Sequence, residues 1–263
     1  MPELPEVNAF KAYFDQTSLD QRIESVEVWD DFILRNLTGD EFAERLRGRT
    51  FISSYRQGKY LFAALDNGHH VLLHFGMNGD LAYYESPDDQ PRFERFRFNF
   101  ENGMRLGFED SRKFARILYI EDRDAYIEQI GLGPDATRLT REQFMTAAAG
   151  RKGTLKGFLL NQGVAAGMGN LYADEICYQT RIHPGSRMDK IPAGELDKLY
   201  TCLHRTMNEA AERLPHYKQY PPKWYWKLWR EAGKKIGRRG TVEAAKIGGR
   251  TTMYVPGWQT LYE

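Results

Sequence analysis

Cysteine is scarce in this chain, and the shortage excludes several kinds of site. The 263 residues include only Cys177 and Cys202, and neither belongs to a Cys-x-x-Cys pair. Two such cysteines can form neither a four-cysteine zinc site nor a disulfide framework. The pattern therefore favours an intracellular protein.

Long apolar runs are also missing. No stretch of about 18 apolar residues occurs, so we expect no membrane span. The first residues contain no basic segment followed by an apolar one, so we expect no secretory signal peptide. Hydrophobic residues make up 41% of the chain and charged residues 28%, which is ordinary for a globular protein of about two domains.

The net charge is only +1, which weakly disfavours a nucleic-acid-binding protein, but its distribution favours one. Residues 1–50 carry eleven acidic and six basic side chains, whereas residues 216–250 carry ten basic and two acidic side chains. A local basic excess of this size is typical of a surface that binds an anionic polymer.

Short alternating segments predict a β-rich first half. Phe96, Phe98 and Phe100 alternate with polar residues, as in a half-buried strand. The sequences Asp66-Asn67-Gly68 and Glu101-Asn102-Gly103 predict hairpin turns. About eight strands with this spacing predict a β-sandwich. The predicted strands are 22–29, 50–55, 60–65, 70–75, 80–84, 95–101, 104–108 and 116–120.

The remaining segments are mostly helical in pattern. A first helix is predicted to begin at Pro5 and a short one to span 40–46, and a domain boundary is predicted near Gly131-Leu132-Gly133-Pro134. Residues 215–240 are aromatic, basic and irregular. The last stretch, 241–263, predicts a hairpin with Gly248-Gly249 at its tip. Further helices are predicted near 122–130, 140–149, 153–162, 170–181 and 191–214.

The first seven residues, MPELPEV, contain a candidate nucleophile. Once Met1 is removed, Pro2 carries a free secondary amine, and an α-amino group has a pKa of roughly 7.7–8.0. The positive end of the following helix disfavours a protonated amine and favours the carboxylates of Glu3 and Glu6. An amine beside a carboxyl group is a recognisable catalytic pair. By itself, the same pattern also fits a common helix start with an acidic first turn.

Five segments together resemble the formamidopyrimidine-DNA glycosylase (Fpg/Nei) family, and the resemblance covers nearly the whole chain. They are MPELPEV at 1–7, GKYL at 58–61, HFGMNG at 74–79, DSRKF at 110–114 and MGNLYADE at 168–175. The resemblance implies an α+β fold in three parts. These are a catalytic eight-stranded β-sandwich with an N-terminal helix (1–130), a helical DNA-binding domain with a helix-two-turns-helix motif (131–230) and a β-hairpin finger (231–263).

The resemblance also implies the roles of individual residues. Pro2 is the expected nucleophile, Glu3 the proton shuttle, and Lys59 reaches the phosphate and sugar of the lesion. Arg250, at the finger tip, is the fourth expected catalytic residue and holds a phosphate. The other expected DNA contacts are Glu6, His74, Arg95, Arg151, Lys156 and Asn170. Of these, Arg95 (or Arg92) stands where the family often has a histidine, and Asn170 is expected to cap a helix that binds phosphate.

Two loops match those that supply the family's intercalating residues. On this resemblance, Met77, Arg112 and Phe114 fill the hole left by an everted nucleotide. The physical basis is that flipping a base out costs a few kcal/mol of unstacking, which apolar wedges and an arginine donor to the orphaned base offset. All three residue types match the Fpg branch of the family.

The finger departs from the family pattern, which reads GRxTxxCxxCQ. Residues 249–259 read GRTTMYVPGWQ, so Val255 and Trp258 stand in place of the last two cysteines. We therefore expect a zincless finger with an apolar contact between Val255 and Trp258, and no zinc or other cofactor.

We accordingly expect a bifunctional DNA glycosylase and abasic-site lyase of base excision repair. It would excise oxidised purines of the 8-oxoguanine or formamidopyrimidine type from double-stranded DNA by β,δ-elimination. We expect a cytoplasmic monomer, associated with the nucleoid if the source is bacterial.

Two alternatives remain open. The expected base-binding loop, about 214–228, is crowded with aromatic residues, which leaves oxidised pyrimidines or bulky or alkylated bases as substrates. The second alternative is a non-catalytic protein that binds damaged DNA. The crowding residues are Tyr217, Tyr220, Trp224, Tyr225 and Trp226.

Overall fold

The first helix packs its apolar side on the core of the first half. In the computed structural model, which describes residues 2–213, 221–224 and 231–263, α1 spans Leu4–Ser18 and buries Val7 and Phe14. The chain divides into two compact units, Met1–Ile130 and Gly131–Glu263.

The first unit is a β-sandwich. Its strands are β1 (Ile23–Val28), β2 (Phe51–Gln57), β3 (Tyr60–Leu65), β4 (His70–His74), β5 (Asp80–Tyr84), β6 (Glu94–Phe100), β7 (Arg105–Glu109) and β8 (Arg116–Ile120). They form two antiparallel four-stranded sheets in the orders β1-β6-β7-β5 and β2-β3-β4-β8. The prediction of an eight-stranded sandwich is confirmed.

One apolar core joins the two sheets. It contains Phe96 and Phe98 from one sheet and Leu61 and Leu73 from the other. β6 alternates buried and half-buried residues along its whole length, as its sequence predicts. Two short helices complete this unit: α2 (Gly39–Leu46), which buries Phe42 in the core, and α3 (Arg123–Gln129).

The second unit is helical and ends in small strand pairs. Its helices are α4 (Arg141–Ala148), α5 (Leu155–Leu159), α6 (Asn170–Thr180) and α7 (Ala193–Glu212). α5 is only five residues long, half the predicted 153–162, because Asn161 turns the chain by accepting a hydrogen bond from Gly163 N at 2.9 Å.

The C-terminal segment forms two antiparallel pairs, β9 (Lys235–Ile236) with β10 (Gly240–Thr241), and β11 (Glu243–Ile247) with β12 (Arg250–Tyr254). The tip of the second pair is Gly248-Gly249, with φ of +59° and +75°, which is the backbone of a two-residue hairpin turn. The predicted hairpin is confirmed. Residues 214–220 and 225–230, which include most of the expected base-binding loop, lie outside the described residues. Trp224, which is described, is buried.

Candidate active site

The N-terminus places a buried carboxyl group beside Pro2. Pro2 lies two residues before α1 and is partly exposed, whereas Glu3, between them, is only 4% exposed. The Glu3 N–H donates to Glu6 Oε2 at 2.9 Å, half of a capping box that fixes the start of the helix. Glu6 therefore has a structural role, and its predicted DNA contact stays a prediction.

Lys59 lies in the two-residue turn between β2 and β3, where Gln57 pairs with Tyr60. The turn is tied to α1 by Arg56, whose Nη1 donates to the Gly58 carbonyl at 3.2 Å and whose Nε donates to Asn8 Oδ1 at 3.3 Å. The first turns of α1 and the lysine-bearing hairpin are thus held at the same end of the sandwich. This brings the segments of three predicted catalytic residues together.

His74, at the end of β4, is neutral at physiological pH. Burial, with the nearby Arg116 and Lys59 cations, lowers its pKa to about 4. Its Nδ1 accepts from Gly76 N at 3.3 Å, so the proton sits on Nε2. His74 can therefore serve as a neutral hydrogen-bond donor to an anion, as predicted for a DNA contact, but not as a cation.

The two predicted intercalation loops touch through their backbones. Gly76 has φ of +59°, and a Cβ there would lie 2.5 Å from the Ala115 nitrogen. Only glycine, which has no Cβ, lets the two loop backbones approach this closely. Met77 and Phe114, one on each loop, are 38% and 51% exposed, so each of the two touching loops presents an apolar side chain to solvent.

Gly76→Ala is expected to lower the free energy of unfolding by roughly 2–4 kcal/mol, because it adds both a strained φ and a backbone collision. Gly103→Ala is the matched control. Gly103 has φ of +84°, but a Cβ there meets no atom within 4 Å, so only about 1 kcal/mol should be lost. Denaturant unfolding measures both, and equal losses would show that the loop contact is not tight.

Asp110 holds the second loop in shape. Its buried carboxylate accepts from Arg112 N at 2.9 Å and from Ala115 N at 2.8 Å. The Arg112 guanidinium lies over the Phe114 ring, 5.3 Å from its centre. The loop is thus preorganised with an exposed arginine stacked on an exposed phenylalanine.

Arg95 holds the backbone of this loop in place. Its Nε donates to the Asp110 carbonyl at 2.7 Å, and its Nη1 lies 3.3 Å from Asp30 Oδ2. Asp30 also pairs with Lys113 at 2.6 Å. These contacts occupy Arg95, so the structure gives it a positioning role, and its predicted DNA contact stays a prediction. Arg92, the other candidate, is exposed and lies over Phe93.

Sequence reasoning missed the residues that surround the loop. Asp30 carries no motif of its own, and only the tertiary contact with Arg95 and Lys113 reveals its role. Trp29 and Phe32, beside it, are 48% and 61% exposed, and each has an arginine over its ring. Their exposure is unusual for large aromatic side chains.

In the second unit, Lys156 is buried in an ion pair, and its predicted DNA contact stays a prediction. Its side chain is 0% exposed and forms an ion pair with buried Asp174, so its ammonium group is engaged inside the protein. Asp174 Oδ2 also accepts from Met253 N at 3.3 Å. The pair therefore joins α5, α6 and β12, since an unpaired charge at this depth would be strongly unfavourable.

Asn170 also differs from its predicted role as a helix cap. The cap of α6 is Gly169, and Asn170 is the first helical residue. Its Nδ2 donates to the Thr251 carbonyl at 3.0 Å, which joins the helix to the hairpin. Its Oδ1 is buried and has no hydrogen-bond partner in the described part of the chain.

The hairpin tip is seated on α5. A Cβ at Gly248 would lie 3.3 Å from Gly157 N. Arg250, directly after the tip, is exposed, so its long cationic side chain is available to solvent beside the start of α6. The predicted phosphate-binding residues Asn170 and Arg250 are therefore neighbours. Arg151 is also exposed, and its Nε donates to the Ala147 carbonyl at 3.2 Å.

An apolar cluster supports the base of the hairpin. Val255 is fully buried with Tyr178, Ile236 and Val242, and partly buried Trp258 packs against them. Residues 2–213, 221–224 and 231–263 contain no group of three or more His, Cys, Asp or Glu side chains that could hold a metal ion. Among the same residues, no helix is long and apolar enough to cross a membrane.

Comparison with known proteins gives one consistent match. Residues 1–117 match the formamidopyrimidine-DNA glycosylase N-terminal domain, and residues 130–216 match its H2TH domain. A formamidopyrimidine-DNA glycosylase of Arabidopsis thaliana is 32% identical, over all of this chain and 72% of the relative. One of Lactobacillus johnsonii is 30% identical over the whole of both chains.

Solved structures agree on the fold. The Lactococcus lactis formamidopyrimidine-DNA glycosylase, bound non-covalently to DNA with an abasic site, has a TM-score of 0.89 at 22% identity. The alignment covers 98% of this chain and 99% of that one. The fold, the N-terminal segment and the two loops thus define a DNA glycosylase of DNA repair. The chain belongs to the formamidopyrimidine-DNA glycosylase family.

Proposed function

We propose that this enzyme is both a glycosylase and an abasic-site lyase, with the Pro2 amine as its nucleophile once Met1 is removed. One observation carries the proposal: the Glu3 carboxyl group is buried next to Pro2 at the positive end of α1. Lys59 supports it, because Arg56 ties its hairpin to the same helix. An amine, a carboxyl group and a lysine are the groups that this chemistry needs.

The proposed first steps join the enzyme to the sugar. The lone pair of the Pro2 nitrogen forms a bond to C1′, and the glycosidic bond breaks, with its electron pair leaving on the base, which takes up a proton. The ring oxygen then leaves C1′ and is protonated, which gives an iminium ion between Pro2 and the open sugar. Glu3 carries these protons. Because Pro2 is a secondary amine, the iminium ion cannot become neutral by losing a proton from nitrogen.

The iminium ion then accepts electrons during strand cleavage. Loss of a C2′ proton expels the 3′ phosphate, a second elimination expels the 5′ phosphate, and water releases the sugar fragment from Pro2. Lys59 and Arg250 hold the phosphates that flank the lesion, and contacts of this kind position the protein without reading sequence. Met77, Arg112 and Phe114 fill the space left by the everted nucleotide.

The substrate that we propose is an oxidised purine in double-stranded DNA. We propose that the enzyme acts as a monomer. The test has two arms: borohydride trapping on a duplex with an abasic site, and excision from one duplex carrying in turn 8-oxoguanine, a formamidopyrimidine, an oxidised pyrimidine and an alkylated base. Trapping with excision of the first two supports the proposal. Binding without trapping would identify a damage-binding protein, and excision of the other bases alone would change the substrate class.

We further propose that the finger folds without zinc. Val255 and Trp258 stand at two positions where the family pattern has cysteine, and both belong to the apolar cluster at the base of the hairpin. Elemental analysis is expected to find far less than one zinc per chain, and activity should persist in a chelator. About one bound zinc per chain would contradict this.

Arg250→Ala is expected to weaken binding to lesion DNA and to lower its salt dependence by about one phosphate contact. The melting temperature should change little, because Arg250 is exposed. Trp258→Ala, the comparison variant, should lower the melting temperature first, because its ring packs on the cluster of Val255. Titrations at several salt concentrations check this, and an unchanged slope for Arg250→Ala would remove Arg250 from the DNA contacts.

A further inference from the structure

Four basic side chains gather at the C-terminal end of α6. Arg181 follows that helix, Arg205 lies on α7, and Lys223 and Arg239 come from the segments after it. They line a cavity of about 260 Å³ together with Tyr178, Gln179 and Trp258. α6 has eleven residues, so this basic cavity lies about 16 Å along the helix axis from Asn170. It is therefore separate from the predicted phosphate contacts at the start of α6.

Two of the cations share one indole ring. The guanidinium carbon of Arg181 lies 3.9 Å from the centre of the Trp258 ring, and that of Arg239 lies 4.9 Å from it. Arg239 Nη1 also donates to the Tyr178 hydroxyl at 2.6 Å, and Trp258 Nε1 donates to the Tyr178 carbonyl at 3.3 Å. The ring attracts both cations and fixes their positions, but it does not neutralise their charge.

Among the described residues, no carboxylate pairs directly with these four cations. In the part of the chain that the structure describes, none of the four basic residues forms an ion pair with an acid. Arg205 donates instead to the Gln179 amide oxygen at 2.7 Å, and the Gln179 amide nitrogen donates to the Glu175 carboxylate at 2.6 Å. The sequence around Lys223, residues 213–230, contains no Asp or Glu at all. Like charges held together without a counter-charge repel one another, and a bound anion removes that repulsion.

We propose that the basic cavity is a phosphate-binding site distinct from the lesion-binding site. The forked donors of its arginines suit the oxygens of a phosphate mono- or diester or of a pyrophosphate. The phosphate belongs either to a free ligand or to DNA backbone beyond the lesion. This proposal is independent of the glycosylase and lyase chemistry proposed above.

The first arm of the test titrates the full-length protein with inorganic pyrophosphate in a calorimeter, in buffer free of phosphate. Arg205→Gln/Lys223→Gln removes two exposed cations that do not stack on Trp258. The control, Lys152→Gln/Lys190→Gln, removes two exposed lysines of the same unit. The wild type and the control should bind alike, and the cavity variant should bind about tenfold more weakly or worse.

The second arm measures the salt dependence of binding to a long undamaged duplex. If the natural phosphate is that of DNA, the slope for the cavity variant should fall by roughly 0.9 for each lost contact, while the control keeps the wild-type slope. An unchanged slope with lost pyrophosphate binding assigns the site to a free phosphate ligand. The proposal would be overturned if the cavity variant kept the wild-type salt slope and if the wild type, the control and the cavity variant all bound pyrophosphate equally or not at all.

Discussion

Pro2→Gly is expected to reduce base excision and borohydride trapping to near background, with affinity for lesion DNA largely kept. The secondary amine is lost, and with it the iminium ion that cannot be neutralised by losing a proton from nitrogen. The proposed phosphate contacts come from other residues, Lys59 and the exposed Arg250 among them, so binding should survive. The measurement compares single-turnover excision, trapped adduct and Kd on the same lesion duplex.

A protein that retains Met1 tests the same nitrogen without changing any side chain. It keeps every side chain but turns the Pro2 nitrogen into an amide, which is not nucleophilic. It should therefore fail in the same assays. Undiminished trapping by either protein would move the nucleophile to another amine, with Lys59 as the next to test.

Lys156→Met is expected to lower the free energy of unfolding by about 3–5 kcal/mol, because it leaves the Asp174 carboxylate buried without its cation. For a protein of this size, each kcal/mol corresponds to roughly 2–4 °C in melting temperature. Lys152→Met, which changes an exposed lysine four residues earlier, should leave the melting temperature nearly unchanged.

A second variant separates the buried pair from a phosphate contact. Lys156→Met/Asp174→Leu removes both charges and should regain part of the lost stability, although not all, because Asp174 also accepts from Met253 N. A role in DNA binding predicts the opposite pattern for Lys156→Met: a normal melting temperature and a smaller salt slope for DNA binding. That result would support the predicted contact between Lys156 and a DNA phosphate.

Local patterns predicted most of the secondary structure. Alternation at Phe96, Phe98 and Phe100 predicted a half-buried strand, and β6 has that burial. Gly248-Gly249 predicted a two-residue hairpin tip, because its two positive φ angles are accessible to glycine. α5 was predicted too long, because helical periodicity continues past Leu159 while the turn at Asn161 ends the helix.

The motifs located the segments of the site more reliably than they predicted the contacts of individual side chains. MGNLYADE marked the start of α6, but its pattern could not show that the cap is Gly169 or that Asp174 pairs with Lys156. A lysine at a matching position gives no information on whether its ammonium group faces solvent or the interior. The same limit applies to Arg95, which the sequence placed near DNA and the structure places on Asp110 and Asp30.

The sequence by itself determined the strand order along the chain, the hairpin, the family resemblance and the identity of the candidate nucleophile, because these depend on residue type and short-range spacing. Only the tertiary structure decided that the Glu3 carboxyl group is buried, that His74 is neutral, that Gly76 brings the two loops into contact and that four cations line one cavity. Each of these depends on segments distant in sequence, and burial, pKa and charge repulsion arise only when folding brings those segments together.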